Sequence, residues 1–327
     1  MAFPERTVSG QRLSGRNLFM KSRRSVLSVP GHMEKMHPKA RDSAVDIVMF
    51  DLEDSVPVDQ KETARTQVIQ SLLSLDWRDK TVTVRCNALD TPFAYRDLLD
   101  VVENAGQVLD AVVVPKVNHP GDIHFVHRLL QGIEMNKQCS NRIGIEASIE
   151  SAAGLENVSL TAKASDRMIS LVFGIADYSA SIGARLVSVS GHGEAEAAVY
   201  PGHRWHFPLS RIIMAAKANG LLVMDAPYGN FKDLDGLRRS ASMANALGCD
   251  GKWVIHPGQI EIVNAVFSPS PEEIERARMV IEAYDAAGKS GRGAVSLGGS
   301  VVDSATIRMA RQLWEQAVHL KLVSIKH

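Results

Sequence analysis

Short runs of β-branched and aliphatic residues alternate along the chain with longer stretches of helical periodicity. Eight runs stand out, at residues 25–29, 46–52, 81–85, 110–114, 142–149, 168–173, 220–224 and 251–255. Most are near-continuous Val, Ile and Leu, the pattern of parallel strands covered on both faces rather than the in–out alternation of a half-solvated sheet. Between them, residues 58–75, 94–105, 120–135, 151–164 and 234–247 read as helices. Strand–helix alternation implies βαβ units and a parallel sheet, and eight units in about 270 residues suit a closed (β/α)8 TIM barrel. An open doubly wound sheet would carry a Gly-rich phosphate loop after its first strand. Here that position reads Val29-Pro30-Gly31-His32, with no GxGxxG.

The pattern changes after Pro271. Residues 271–287 form one helical run, 288–299 hold five glycines, and 302–317 form a second helix. Glycines between two helices read either as the hinge of a mobile lid or as a plain connector. The division expected is a catalytic barrel over 1–270, preceded by an arm at 1–22, and a C-terminal helical lid over 271–327. One long polar segment, 183–209, contains Tyr200-Pro-Gly-His-Arg-Trp-His-Phe207 and exceeds a simple connection, which favours a functional loop.

Composition narrows the class. The 327 residues are 45% hydrophobic, enough for a large core, and 37 basic side chains balance 37 acidic ones. That balance points away from nucleic acid and membrane surfaces and toward small molecules or further copies of the chain. Cys86, Cys139 and Cys249 form neither a CxxC pair nor a metal-ligand spacing, so they read as reduced thiols and favour the cytoplasm. No apolar run approaches the roughly 18–20 residues needed to span a bilayer. The Arg- and Ser-rich opening, with Glu5 as its single acid, reads as an arm across a subunit contact rather than a transit peptide.

Barrel enzymes place their chemistry at the C-terminal ends of the strands. In this chain those ends carry Asp51, Glu53 and Asp54; Arg85 and Asn87; Lys116; Glu150; Asp177; Asp225; and His256. Seven converging strand ends are hard to explain as surface solvation. Glu150 and Asp177 end neighbouring strands. Two carboxylates amid oxygen donors suit Mg²⁺, with Mn²⁺ as an alternative, because such ions keep waters and need only one or two carboxylates. The same acids could instead pair with Arg85 and Lys116. The Arg85 guanidinium forks onto carboxylate or enolate oxygens, with Glu53 and Asp54 orienting it. His256, in a strand-end His-Pro, is either structural or part of the site. His203 and His206 have an HxxH-like spacing without an acid in zinc-protease register and read as substrate-loop residues, and Trp205 and Phe207 as a wall against solvent.

These segments resemble the citrate lyase β-subunit/malyl-CoA lyase family of aldolases along almost the whole chain, most closely its malyl-CoA and β-methylmalyl-CoA lyases. The matching runs are Arg24-Ser-Val-Leu-Ser-Val-Pro-Gly31, Asp51-Leu-Glu-Asp-Ser-Val56, Val84-Arg-Cys-Asn-Ala-Leu-Asp-Thr-Pro-Phe93, Ile149-Glu-Ser-Ala-Ala-Gly154, Phe173-Gly-Ile-Ala-Asp-Tyr178, Asp225-Ala-Pro-Tyr-Gly-Asn-Phe231 and Gly251-Lys-Trp-Val-Ile-His-Pro257. The resemblance implies a TIM barrel, trimeric or hexameric, that cleaves a malyl-CoA-type thioester into an acyl-CoA and a small 2-oxoacid. It implies Mg²⁺ on Glu150 and Asp177, and Arg85 against the reacting acyl oxygen. It implies CoA contacts near Arg24 and Lys39, with His256 beside them. Asp303, in Gly299-Ser-Val-Val-Asp303, would be the acid/base delivered by a neighbouring subunit's lid. Ser28 and Cys86 depart from the family pattern and leave the preferred acyl group open. A malyl-CoA thioesterase, a citramalyl-CoA lyase and a silent assembly subunit are the competing readings.

Overall fold

In the computed structural model, residues 22–184, 204–289, 295–297 and 300–323 are described. Eight parallel strands close into a barrel in sequence order: β1 (Ser25–Pro30), β2 (Ile47–Asp51), β3 (Thr81–Arg85), β4 (Ala111–Val114), β5 (Gly144–Ile149), β6 (Met168–Phe173), β7 (Leu222–Asp225) and β8 (Gly251–Val254). β8 returns to pair with β1. The expected strand order and positions therefore hold to within two residues at each end.

Helices α1 (His37–Asp42), α2 (Lys61–Ser74), α3 (Ala94–Ala105), α4 (Pro120–Lys137), α5 (Ala152–Glu156), α6 (Val158–Thr161), α7 (Ile175–Ser181), α8 (His206–Lys217), α9 (Leu234–Leu247) and α10 (Ile260–Val266) surround the barrel. In α3, Ala94, Asp97, Leu98, Val101, Val102 and Ala105 are buried, the i, i+3, i+4 stripe of a helix lying on a sheet. Burial of the Leu98, Val101 and Val102 side chains is worth about 1.5–3 kcal/mol each. The helix starts are sequence-coded: His119 and Asp122 form a reciprocal capping box on α4, and Asp233 caps α9.

The single helix expected over 151–164 is two, broken at Asn157. Asn157 leaves the helical conformation, and its side chain donates across to the Asn118 carbonyl oxygen in the loop after β4, a long-range bond that fixes the break against the neighbouring strand end.

Two hydrophobic layers result. The larger lies between strands and helices. A smaller one, of Val26, Ile47, Met49, Val113, Val172, Met224 and Trp253, fills the barrel itself. Below it the buried Arg23 guanidinium pairs with Glu146.

After α10 come α11 (Pro271–Lys289), the antiparallel strands β9 (Val295–Leu297) and β10 (Ser300–Val302), and α12 (Ser304–His319). The stretch read as a hinge or connector thus carries a short hairpin. α11 and α12 share their own small core of Ala277, Val280, Val302, Ile307 and Ala310. Near its C-terminal end, α12 is tied to the barrel by Gln316, which donates to the Phe267 carbonyl oxygen at 3.1 Å. No helix among the described residues is long and apolar enough to cross a membrane.

Candidate active site

A cleft of about 400 Å³ opens at the C-terminal ends of the strands, lined among others by Asp51, Asp54, Arg85, Glu150, Asp177 and Trp253. Its cationic centre follows from strand register. Asp51 and Arg85 are paired positions on β2 and β3. The guanidinium donates from Nε to Asp51 Oδ1 and from Nη2 to Asp51 Oδ2, both at 2.7 Å, while Nη1 lies 3.0 Å from Glu53 Oε2. The guanidinium also sits 5.5 Å from the centre of the Trp253 ring. Burial alone would push the Asp51 carboxyl up, but the Arg85 charge and hydrogen bonds outweigh it and hold Asp51 down at about 2.

Glu150 stands at the end of β5 and is almost wholly buried. Burial, and then the neighbouring Glu53 carboxylate, push its carboxyl up to about 7, and its Oε2 has no hydrogen-bond partner. Asp177, in the first turn of α7, is partly exposed beside it at the cleft. The two segments approach closely only because residue 174 is glycine: a Cβ there would fall 2.2 Å from Glu150 Cγ. A buried carboxylate oxygen without a donor, beside a second carboxylate, is a fit for a hard dication that supplies the missing positive charge. Among the described residues no group of three or more His, Cys, Asp or Glu converges on one point, so the donor set is a carboxylate pair rather than a zinc-type cage.

Lys116 ties the acids together. Its Nζ is 2.6 Å from Glu53 Oε1, 3.2 Å from Asp54 Oδ1 and 3.9 Å from Asp177 Oδ1. The acids expected to orient Arg85 therefore divide their work differently. Glu53 spans Arg85 and Lys116, Asp54 pairs with Lys116, and Asp51 is the chief partner of the guanidinium. Asp51 was legible as a strand end; what marks it as the partner is the β2–β3 register, which sets it opposite Arg85. Trp253 carried no such signal.

A second cavity, of about 340 Å³, adjoins the cleft and shares Ser28 and Ile255 with it. Lys39 and His256 line it with Met36, Pro30 and Pro257. His256 caps the turn after β8, its Nδ1 accepting from the Gly258 N–H, and stacks on Phe231 at 4.9 Å.

Other expectations are not brought to the cleft. Arg24 precedes β1 at the opposite end of the barrel from the cleft, where it forks onto Asp46 and reaches Ser268. Asp225 is fully buried in a pair with Lys252 at 2.5 Å and does not line the cleft. Trp205 is buried 6.1 Å from the Tyr178 ring and Phe207 is exposed, and neither is among the residues lining the cleft. His206 begins α8; His203 lies outside the described residues. Asp303 caps α12, accepting from the Ala305 and Thr306 N–H groups, which hold its carboxyl below the usual carboxylate value. It stands roughly 20 Å along the helix from Gln316 and is absent from the residues lining this chain's cleft.

Comparison with known proteins agrees with this architecture. The family model HpcH/HpaI aldolase/citrate lyase matches residues 24–257. The L-malyl-CoA/beta-methylmalyl-CoA lyase of Cereibacter sphaeroides (strain ATCC 17025 / ATH 2.4.3) is 38% identical over 90% of this chain and 94% of its own length. The (3S)-malyl-CoA thioesterase of Cereibacter sphaeroides (strain ATCC 17029 / ATH 2.4.9) is 35% identical over the same shares. Among solved structures, the CitE protein of Mycobacterium tuberculosis in complex with magnesium, acetoacetate and coenzyme A superposes with a TM-score of 0.73 at 27% identity, over 91% of this chain and 99% of that one. The chain is a lyase of the aldolase type and belongs to the HpcH/HpaI aldolase/citrate lyase family.

Proposed function

We propose that this chain reversibly cleaves (S)-malyl-CoA, and β-methylmalyl-CoA, to glyoxylate and acetyl-CoA or propionyl-CoA, with Mg²⁺ held by Glu150 and Asp177. The observation that carries the reading is the buried, donor-less Glu150 oxygen beside Asp177, facing a guanidinium already fixed by Asp51. When bound, Mg²⁺ (or Mn²⁺) supplies Lewis-acid stabilisation at the hydroxyl of the 2-hydroxy acid portion. The remaining work falls to the chain. Arg85 offsets the negative charge that develops on the thioester oxygen as the carbon–carbon bond breaks, and its fixed geometry spares reorganisation at that moment. Glu53 and Asp54 hold the cationic groups in place. Lys39 and His256 line the groove assigned to the CoA arm. The 2-hydroxyl gives up its proton as the carbon–carbon bond breaks; Asp303, from the lid of a neighbouring copy in a trimer or hexamer, takes up a proton and delivers one to the carbon that leaves as the acyl-CoA, and the condensation direction runs the same transfers in reverse. A cytoplasmic setting fits the three free thiols.

A thioesterase is the second reading, favoured by the similarity to the (3S)-malyl-CoA thioesterase. A citramalyl-CoA lyase differs by one methyl group, a discrimination of only about 1–3 kcal/mol in an apolar pocket. The intact set of Glu150, Asp177, Arg85 and Asp303 speaks against a silent assembly subunit. The test is an incubation with (S)-malyl-CoA and Mg²⁺, following glyoxylate and free CoA together, with EDTA as control. Metal-dependent glyoxylate without free CoA supports the lyase; free CoA without glyoxylate overturns it in favour of the thioesterase.

A further inference from the structure

Lys116 is the least explained cation of the cleft. It follows β4 with a left-handed backbone, φ 50°, which a lysine rarely adopts. The other described non-glycine residues with positive φ, Gln138 and Lys321, follow the ends of α4 and α12, where such a conformation terminates a helix. Lys116 terminates no helix. Its conformation is held by its neighbours: Val117 is buried, and its N–H donates to the Ser148 carbonyl oxygen at 3.1 Å, across to β5. Strain of this kind persists where the surroundings over-determine it, and it clusters at functional sites. Its result here is an ammonium whose Nζ touches Glu53 and Asp54 and comes within 3.9 Å of Asp177.

We propose that Lys116 is a positioning residue that sets the divalent-cation affinity of the Glu150–Asp177 pair and keeps Glu53 and Asp54 from joining it as ligands. The inference rests on the reading that this pair holds Mg²⁺. Glu53 and Asp54 stand beside the Glu150–Asp177 pair, near enough that one ammonium touches both and comes within 3.9 Å of Asp177. A fixed ammonium between Glu53, Asp54 and Asp177 does two things. It occupies the free oxygens of Glu53 and Asp54, and its charge opposes the dication electrostatically. Both effects weaken the metal and leave its remaining coordination positions to water and substrate oxygens, as a catalytic Mg²⁺ requires.

The test is calorimetric titration of Mg²⁺ into the metal-free full chain: wild type, Lys116→Met, Lys116→Gly, Lys116→Arg and Glu150→Gln. Glycine adopts φ 50° without strain, so Lys116→Gly removes the ammonium while easing the backbone. With charge interactions screened at a part-exposed site, both neutral variants bind Mg²⁺ roughly tenfold more tightly than wild type, and Lys116→Arg stays near it. Unchanged or weaker binding in Lys116→Gly, or equal tightening in Lys116→Arg, overturns the proposal. Glu150→Gln separates the two levels of the argument. If wild type shows no Glu150-dependent binding, the metal reading itself fails; if it does and Lys116→Gly matches it, only the role of Lys116 fails.

Discussion

Arg85 and Asp51 occupy paired positions on adjacent barrel strands and share two hydrogen bonds of 2.7 Å, so the guanidinium is aimed by backbone register and not by a flexible loop. A bidentate fork onto a carboxylate on the next strand leaves Arg85 little rotational freedom. The side-chain entropy of a long cation is lost during folding, before any substrate arrives.

Asp51→Asn therefore reaches both stability and chemistry. Removing one charge of a buried pair costs about 3–5 kcal/mol, because the partner is left uncompensated. The sign with pH follows from Asp51 being held down at about 2 against an ordinary value of 3.8. A depressed carboxylate contributes stability that is present above 3.8 and lost as pH falls toward 2. Denaturant midpoints of wild type and variant should thus differ most at neutral pH and converge in acid, while kcat falls in the variant at every pH where it is folded.

The Glu150 carboxyl makes an opposite pH prediction. Its folded value is raised from 4.5 to about 7. In the metal-free protein this group stabilises the fold below 4.5, and that contribution is lost as pH rises to 7. Mg²⁺ requires the ionised form, so proton and metal compete. With a value near 7, Mg²⁺ affinity should be about tenfold weaker at pH 6 than at pH 8. Proton uptake by buffers of different ionisation enthalpy, read calorimetrically, should approach one per metal at pH 6. Equal affinity at both pH values would remove Glu150 as the ligand whose proton the metal displaces.

Gly174→Ala isolates the packing behind the carboxylate pair. The added Cβ would overlap Glu150 Cγ at 2.2 Å, so either the glutamate swings away or the turn into α7 opens. Displacing a ligand's support costs about 10–100-fold in metal affinity. Titration of Mg²⁺ should show that loss with the barrel's circular dichroism unchanged.

The barrel was legible because buried parallel strands write themselves as uninterrupted Val, Ile and Leu, and because the ionisable residues fell at strand ends. Residues whose role depends on direction were not. Asp225 ends β7 as visibly as Glu150 ends β5, yet it turns to a fully buried Lys252, a partner 27 positions away that no local pattern announces. Arg24 opens a family-like motif, but it lies before β1, and strand polarity puts it at the end of the barrel remote from the cleft. Lys116 was legible as a strand-end cation able to pair with the cleft acids, but its bridge between Glu53 and Asp54 was not, because it depends on a left-handed backbone that sequence alone does not assign to a lysine.

Asp303 poses the test of the quaternary arrangement. In the single chain its carboxylate caps α12 and does not line the cleft. Asparagine caps helices as well as aspartate does, so Asp303→Asn should leave the thermal midpoint unchanged while kcat falls by about 10²–10⁴ if the carboxylate moves the proton. An unchanged kcat would end that role. Mixing then asks whose cleft the lid serves. Chains carrying only Glu150→Gln or only Asp303→Asn should each be inactive alone. If the lid acts on a neighbour, refolding equal amounts together places an intact Asp303 over an intact Glu150 in about one quarter of sites, and about that fraction of wild-type activity returns. If the lid closes on its own barrel, every site keeps one defect and no activity returns.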